Sequence, residues 1–431
     1  MEYITIIILV LSFITLMGLG VPVAWSLGFS SLLTLLVTVA AVPSMTTIAQ
    51  RMGAGLNSFS LLAIPFFILA GEIMNKGGIA NRLINLAKAL SGRLPGGLLY
   101  VNVIAAMLFG AIAGSAVAAA SALGGILGKR MEDEGYPKEL GVAVNVTSST
   151  TGLVIPPSNV LIVYSLASGG VSIAALFVAG YIPGLFIGLL LMLTAAYFIK
   201  KKELPAGEST SFKELGKVFI DAAPSLTLLV IVIGGIVAGI FTATEASAIA
   251  VLYCLGLSFM YKELKVKDLP AILLKSSATT AVVAMLIATS MAMSWVMSSE
   301  DIPQSISSVL LSLSDNKYVI LIIINLILLF VGIFMDMTPA VLIFTPIFLP
   351  VVTELGIDPV HFGIIMVLNL CIGLCTPPVG SVLFIGVGVA KTSIANVVRP
   401  LLPFFVAMII GLAVITLWPQ MVLWLPNLFG L

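Results

Sequence analysis

Two stretches of this chain are apolar enough to lie at membrane depth, yet neither can be a straight helix there. The first is Asn145-Val-Thr-Ser-Ser-Thr-Thr-Gly-Leu-Val-Ile-Pro-Pro-Ser-Asn159 and the second Asn369-Leu-Cys-Ile-Gly-Leu-Cys-Thr-Pro-Pro-Val-Gly-Ser381. Pro156 and Pro157 have no backbone N–H, so a helix through them loses its bonds to the carbonyls of Gly152 and Leu153. At membrane depth such carbonyls are tolerated only when buried in protein or turned towards water or a ligand. Together with the hydroxyls of Ser148, Ser149, Thr151 and Ser158 they form a hard-oxygen cage suited to a small cation. The plainer alternative is a proline kink whose hydroxyls bond to their own backbone, and the first stretch alone does not separate the two. The shared pattern Gly-Leu-x-x-Pro-Pro bears on the choice: Gly152 matches Gly373 and Pro156 matches Pro377, each pair 221 residues apart (373 − 152, 377 − 156). Two broken helices in corresponding halves of a chain point to a transporter binding site.

The surroundings make the membrane unavoidable. Of 431 residues 60% are hydrophobic and 9% charged, with a mean hydropathy of +1.20. A soluble domain of this length needs far more polar surface, so the chain is an all-α polytopic membrane protein. The first apolar run, from Tyr3, has no basic flank and no small-residue cleavage site before Pro22, so no cleavable leader is expected. The net charge of +1 is dispersed along loops, which argues against a nucleic-acid partner. Cys254, Cys371, Cys375 and the single His361 are too few to suggest a metal cluster.

Taken in order, residues 1–199 read as a first repeat. Its scaffold is 1–75, with apolar spans at 3–20, 21–43 and 58–75 and a polar linker at 44–57. An interfacial arm helix follows at 76–93, with Lys76, Arg82, Lys88 and Arg93 on one face. Residues 94–130 are apolar but interrupted at Gly110-Ala-Ile-Ala-Gly-Ser-Ala-Val117. Each arm falls short of the ~20 residues of a full crossing, so a re-entrant hairpin is expected. The broken helix is 138–169 and a closing span 171–199. Residues 200–224, opening Lys200-Lys-Lys202, are the cytoplasmic connector. The second repeat, 225–431, replays this order: scaffold 225–298, arm helix 302–314, hairpin two 318–352, broken helix 357–390 and final span 400–428. Gly18 pairs with Gly239 and Gly110 with Gly332; near Gly135 and Gly356 the register slips by one residue.

Charge sets the orientation. With the Lys200–Lys202 connector in the cytoplasm and the hairpins returning, most basic loops fall inside and Glu300, Asp301, Asp315, Glu354 and Asp358 cluster outside, a positive-inside pattern. Five crossings then separate Lys200 from a periplasmic N-terminus. The two repeats are inverted relative to one another.

An inverted repeat brings both hairpin tips and both helix breaks together near the midplane. Two related Na⁺ sites are expected: one from Gly110, Ser115, Gly152, Ile155 and Ser158, the other from Gly332, Gly373, Thr376 and Val379. The half-helix N-termini beyond Pro157 and Pro378 would suit an anion. Ser115, Asn145, Ser148, Ser149, Asp336, Thr338 and Asn369 are the candidate substrate contacts. Asp336 is either a functional intramembrane carboxylate or the cap of a helix beginning near Pro339. Glu245 reads as a helix start, and the methionines Met285, Met291, Met293 and Met297 as packing.

At these residues the chain resembles the large membrane subunit of the tripartite ATP-independent periplasmic (TRAP) transporters, over essentially its whole length. The resemblance is carried jointly by Leu62-Ala-Ile-Pro-Phe-Phe-Ile-Leu-Ala-Gly-Glu72, Gly110 to Val117, Ile155-Pro-Pro-Ser158, Gly239-Ile-Phe-Thr-Ala-Thr-Glu-Ala246 and Thr376-Pro-Pro378. One departure is Ala243, where the family usually has proline. The resemblance implies Na⁺-coupled uptake of organic acids such as C4-dicarboxylates or sialic acid, through an elevator motion of the hairpin domain. It implies a small four-helix membrane subunit as a separate chain, a soluble periplasmic binding protein that delivers the substrate, and a bacterial inner membrane. No organic cofactor is expected. The rival readings are a stand-alone cation-coupled anion transporter of the same architecture and an intramembrane enzyme. For the enzyme the residues offer no nucleophile–base pair or metal cluster.

Overall fold

The computed structural model describes residues 2–91, 94–202, 204, 212–314 and 316–431. Arg93, Asp315 and most of the connector between Lys202 and Phe212 lie outside the described residues. No strand occurs among the described residues, and eight helices are long and apolar enough to cross a bilayer.

The chain opens with α1 (Glu2–Gly18), α2 (Val23–Thr38), α3 (Ala41–Leu56) and α4 (Ala63–Lys76), followed by the amphipathic α5 (Ile79–Ser91). Next come α6 (Gly97–Ala113), α7 (Ala116–Leu123), a π turn at Gly124–Gly128 and α8 (Lys129–Asp133). The first broken helix is α9 (Lys138–Thr151) and α10 (Asn159–Ala167), and α11 (Ile173–Lys202) closes the half. The second half runs α12 (Phe212–Val237), α13 (Ala243–Met260), α14 (Leu269–Ser299), α15 (Ile302–Leu313), α16 (Lys317–Phe334), α17 (Met337–Glu354), α18 (Pro359–Leu374), α19 (Ser381–Ala390), α20 (Ile394–Leu417) and α21 (Gln420–Leu428). From the hairpins onward the helix starts recur at near-constant spacing: 97 and 317, 116 and 337, 138 and 359, 159 and 381, 173 and 394, differences of 220, 221, 221, 222 and 221.

Local chemistry explains many of these starts. The Asn316, Asp358 and Ser393 side chains accept backbone N–H groups of the turns they open, at Tyr318, Val360 and Asn396. Thr242 and Glu245 form a reciprocal capping box. Ala243 follows as the first helical residue, where proline is well tolerated, so the cap supplies what the missing ring would have preorganised.

Several sequence expectations change. The polar linker at 44–57 is helical: α3 lays Ile48 and Met52 against Ala292, Trp295 and Val296 of α14, with Arg51 4.8 Å above the Trp295 ring. Its polarity belongs to the other face. The connector expected at 200–224 is shorter, because α12 already begins at Phe212. The final span breaks at Trp418-Pro419 into α20 and α21. Gly18 is the last residue of α1; Gly20, at φ +83°, shares the left-handed turn conformation of Gly239, at φ +68°.

Two bodies emerge from the packing. α1–α4 and α12–α14 pack mainly on one another, with α5 and α15 on their flanks. The hairpins and broken helices form the second body, and its two halves interlock. Each hairpin's first arm packs on the leading half of its own broken helix, α6 on α9 and α16 on α18. Each second arm packs on the trailing half of the other broken helix, α7 on α19 and α17 on α10. The arm helix α5 is pinned by Arg82, whose guanidinium lies 3.5 Å from the Tyr261 ring centroid and 3.3 Å from Asp221 Oδ1.

Candidate functional site

The contact between α6 and α9 is made backbone to backbone. A Cβ on Gly110 would lie 2.5 Å from the Cα of Gly152. The second half repeats this: a Cβ on Gly332 would lie 3.0 Å from the Cα of Gly373. These four glycines were expected as tip and break residues, and the structure brings them together in pairs. Gly110 and Gly332 are not themselves at the tips, however. Each sits in the last turn of its arm, where a side chain would wedge the helices apart. The turns are made by Gly114, left-handed at φ +60°, with Ser115, and by Met335-Asp336. Gly114 lies against the side chain of Asn159, so the tip of hairpin one touches the start of α10.

A second device recurs beside each glycine pair. Ser148 Oγ and the side-chain amide of Asn102 lie 3.0 Å apart, linking α9 to α6. Asn369 donates to Asn325 Oδ1 at 2.9 Å, tying α18 to α16, and Asn325 in turn donates to Thr416 at 3.0 Å. Sequence reasoning missed Asn102, Asn325 and Thr416. The available signal was a single asparagine in an otherwise apolar hairpin arm, seven or eight residues before the packing glycine.

The hydroxyls of the first stretch divide cleanly. Thr147, Ser148, Thr150 and Thr151 donate to backbone carbonyls of their own helix. For these the plain reading holds. Ser149 Oγ, Ser158 Oγ and Asn159 Oδ1 are buried with no hydrogen-bond partner. Thr151 to Ser158 is buried throughout, and the carbonyls of Gly152 and Ile155 receive no backbone N–H among the described residues. Unpaired oxygens in a dry site are costly unless something binds them. Each of these is a neutral, buried oxygen, the kind of donor that suits a small monovalent cation. Asn159 was quoted in the stretch but not singled out.

Break two is built alike but is more open. Thr376 donates to Ile372 O at 2.7 Å, which leaves its lone pairs free. The Gly373 carbonyl, expected to be free, accepts the N–H of Thr376 at 3.0 Å, because the last turn tightens as α18 ends. Val379 is 37% exposed.

The substrate candidates scatter. Ser115 caps α7, accepting the N–H of Ala118 at 3.2 Å. Asp336 occupies the N-cap position of α17 but its side chain makes no cap hydrogen bond, and it is exposed; Thr338 is half-buried in the first turn. Asn145 lies seven residues before Gly152, about 10 Å along the helix, and donates to Ala120 O at 2.7 Å. Asn369 belongs to the buried asparagine ladder. Asn145 and Asn369 thus spend their amide nitrogens on helix-to-helix ties while their Oδ1 atoms stay buried and unpartnered, and Ser148 is bonded within α9 and to Asn102.

Membrane-crossing helices built round two such breaks are the architecture of a membrane transport protein. Residues 10–421 match the family described as the tripartite ATP-independent periplasmic transporter, DctM component. The chain belongs to that family and is a transporter subunit, not an enzyme. It is 55% identical over 430 residues to the "Uncharacterized protein YgiK" of Salmonella typhimurium, covering 100% of this chain and 99% of that one. To the C4-dicarboxylate TRAP transporter large permease protein DctM of Rhodobacter capsulatus it is 39% identical over 432 residues, covering 97% and 98%. Among solved structures, the Alcanivorax borkumensis YdaH transporter superposes with a TM-score of 0.67 at 14% identity, over 88% of this chain and 89% of that one. That likeness is of fold alone.

Proposed function

We propose that this chain is the membrane-transport subunit that imports an organic acid by coupling it to the Na⁺ gradient. One Na⁺ site is formed by Ser149, Ser158 and Asn159 with the carbonyls of Gly152 and Ile155. The second is formed by Thr376 with the backbone of Gly373 and Val379. Gly110 and Gly332 set the helix approach that shapes each. The observation that carries this reading is the trio of buried, unpartnered oxygens at break one. Without a carboxylate, such a site holds Na⁺ weakly enough to release it.

The two halves act as inverted repeats, with the N-terminus periplasmic and the Lys200–Lys202 loop cytoplasmic in a bacterial inner membrane. The body of hairpins and broken helices moves as an elevator against the scaffold. An apolar cavity of about 440 Å³ between α1, α14 and hairpin two is consistent with a loosely packed boundary of that kind. A small four-helix membrane subunit enlarges the scaffold, and a periplasmic binding protein delivers the substrate. The Rhodobacter relative, named for C4-dicarboxylate, makes a short carboxylic acid the first substrate to test.

The test is uptake into proteoliposomes holding this chain and its small subunit, with a panel of labelled organic acids. Uptake should need both an inward Na⁺ gradient and the binding protein, and should collapse in Ser158→Ala combined with Thr376→Ala. Proton-driven uptake, or uptake indifferent to the soluble protein, would overturn the reading in favour of a stand-alone carrier.

A further inference from the structure

Hairpin one carries an irregularity that packing does not explain. Between α7 and α8 the helix widens into the π turn Gly124-Gly-Ile-Leu-Gly128. Such a turn gives up the regular backbone ladder and is a recurrent place for a helix to bend. Gly124 and Gly128 hold ordinary right-handed backbone, at φ −59° each, and the arm stays helical through α8 until Gly135, left-handed at φ +85°. The glycines of the turn therefore serve no left-handed corner. A Cβ on Gly125 or Gly128 would meet nothing within 4 Å, so no close approach calls for them either. Glycine is the poorest ordinary helix former because it leaves the backbone freest, and that freedom is what these two positions gain from it. A cavity of about 340 Å³, lined by the three glycines with Gly141, Val142 and Gly386, gives the turn room to bend.

The arm beyond the turn is light. α7 reads Ala-Val-Ala-Ala-Ala-Ser-Ala-Leu, and apart from Leu123 its buried residues are Ala116, Ala119 and Ala120. Displacing it uncovers little apolar area, and the cost scales with that area. Its far end is the hairpin tip, nine residues (124 − 115) and roughly 13 Å from Gly124. There Ser115 caps α7 and Gly114 lies against Asn159. The near end is restrained by Asn145 of α9, which donates to Ala120 O at 2.7 Å. Gly124 makes way for that amide: a Cβ there would lie 2.9 Å from Asn145 Nδ2.

Hairpin two has the same junction in a stiffer form. At an offset of 221 residues Gly124 matches Thr345 and Asn145 matches Met366 (345 − 124, 366 − 145). Thr345 donates to Met366 Sδ at 3.3 Å, so here too the second arm is tied to the leading half of its own broken helix. Pro346 interrupts the ladder of α17. That arm, however, buries Ile343, Ile347 and Phe348, and swinging it would uncover large side chains.

We infer that hairpin one is a gate over break one: α7 swings about Gly124–Gly128, and Asn145 is the positioning residue that latches it closed through Ala120. Opening carries Gly114 off Asn159 and uncovers the unpartnered oxygens of Ser149, Ser158 and Asn159, so that a bound ion can leave. Hairpin two stays closed. The inference deepens the proposed function and rests on it only for the identity of the ion.

The test is hydrogen–deuterium exchange, read by mass spectrometry on the purified full-length chain in Na⁺-free choline buffer, paired with initial rates of uptake in proteoliposomes. Peptides over 116–128 should exchange faster than those over 337–348. Gly125→Ala with Gly128→Ala should slow exchange across 116–128 by about tenfold and raise the thermal midpoint. Uptake turnover should fall by about fivefold with half-saturating Na⁺ unchanged, a gain in stability joined to a loss of rate that a structural role does not produce. Asn145→Ala should quicken exchange across 116–128 by about fivefold, one hydrogen bond being lost. Gly256→Ala, inside α13 with nothing within 4 Å of its Cβ, should stabilise without slowing uptake. Exchange across 116–128 unmoved by the double alanine variant would overturn the inference, and so would slowed exchange with turnover intact. Exchange needs no transport: wild-type uptake indifferent to Na⁺ would sink the proposed function, while the exchange rates still decide the hinge.

Discussion

Gly152→Ala puts the glycine contact under the sharpest test. The added Cβ would meet the Gly110 Cα, with Ala106 O at 2.8 Å and the Gly110 carbonyl carbon at 2.9 Å. Ordinary carbon contacts lie near 3.5–4.0 Å. Every atom in the way is backbone, so no rotamer change can relieve the clash and α6 and α9 must part by roughly 1 Å. Overpacking of this kind costs about 1–3 kcal/mol. The displacement falls where Ser149, Ser158 and the Gly152 carbonyl are held, so half-saturating Na⁺ should rise by about tenfold, a loss near 1.4 kcal/mol. The assay is thermal unfolding in detergent across a Na⁺ titration, since bound ion raises the midpoint by mass action. Gly234→Ala is the control: nothing lies within 4 Å of its Cβ, and removing a helical glycine in the last turn of α12 should be neutral or mildly stabilising. If Gly152→Ala unfolds and responds to Na⁺ as Gly234→Ala does, the close crossing is not what shapes the site.

Gly373→Ala should behave like Gly152→Ala, with unfolding and Na⁺ response shifted in the same direction. Asn325→Leu breaks the Asn369–Asn325–Thr416 ladder and leaves buried polar groups behind, so it should destabilise by about 1–3 kcal/mol in the same melt. Arg82→Ala removes a stacked guanidinium and should cost about 1–2 kcal/mol, while Asp221→Asn, half-exposed, should cost under about 0.5 kcal/mol. Thr242→Ala should lower stability by about 1 kcal/mol through loss of the capping box, read as an earlier thermal transition.

Much of the architecture was legible because membrane helices are written in composition. A polar residue or a proline at depth has a cost that water would otherwise hide, so Pro156-Pro157 and Pro377-Pro378 announce breaks. The short arms of hairpin one, by contrast, are matched in hairpin two by α16 and α17, which are long and apolar enough to cross. Offsets of 221 and 222 residues (373 − 152, 332 − 110) tied Gly152 to Gly373 and Gly110 to Gly332 before any contact was known. Where the reading erred, the determinant was one-sided burial. Residues 44–57 look like a linker because half of α3 is polar, and only its packing on α14 reveals the other half as a seam.

The candidate site was legible in part. A list of hydroxyls does not say which are already spent. Ser148 and Thr151 have the same chemistry as Ser149 and Ser158, and only the helical phase and the neighbouring α6 decide that the first pair is satisfied and the second is not. Likewise only the structure shows that Asn145 and Asn369 spend their amide nitrogens across helix interfaces, on Ala120 and Asn325, and leave their oxygens unpartnered. By itself the sequence determined that this is a membrane protein with two broken helices, two helical hairpins and a repeated order, because those follow from local backbone chemistry and hydropathy. Tertiary structure alone decided which oxygens stay unpaired, that the glycines serve a helix crossing instead of a turn, and that the Asn145 amide meets the second arm of hairpin one at Ala120. Those outcomes depend on the distances between segments far apart in the chain, which no local pattern encodes.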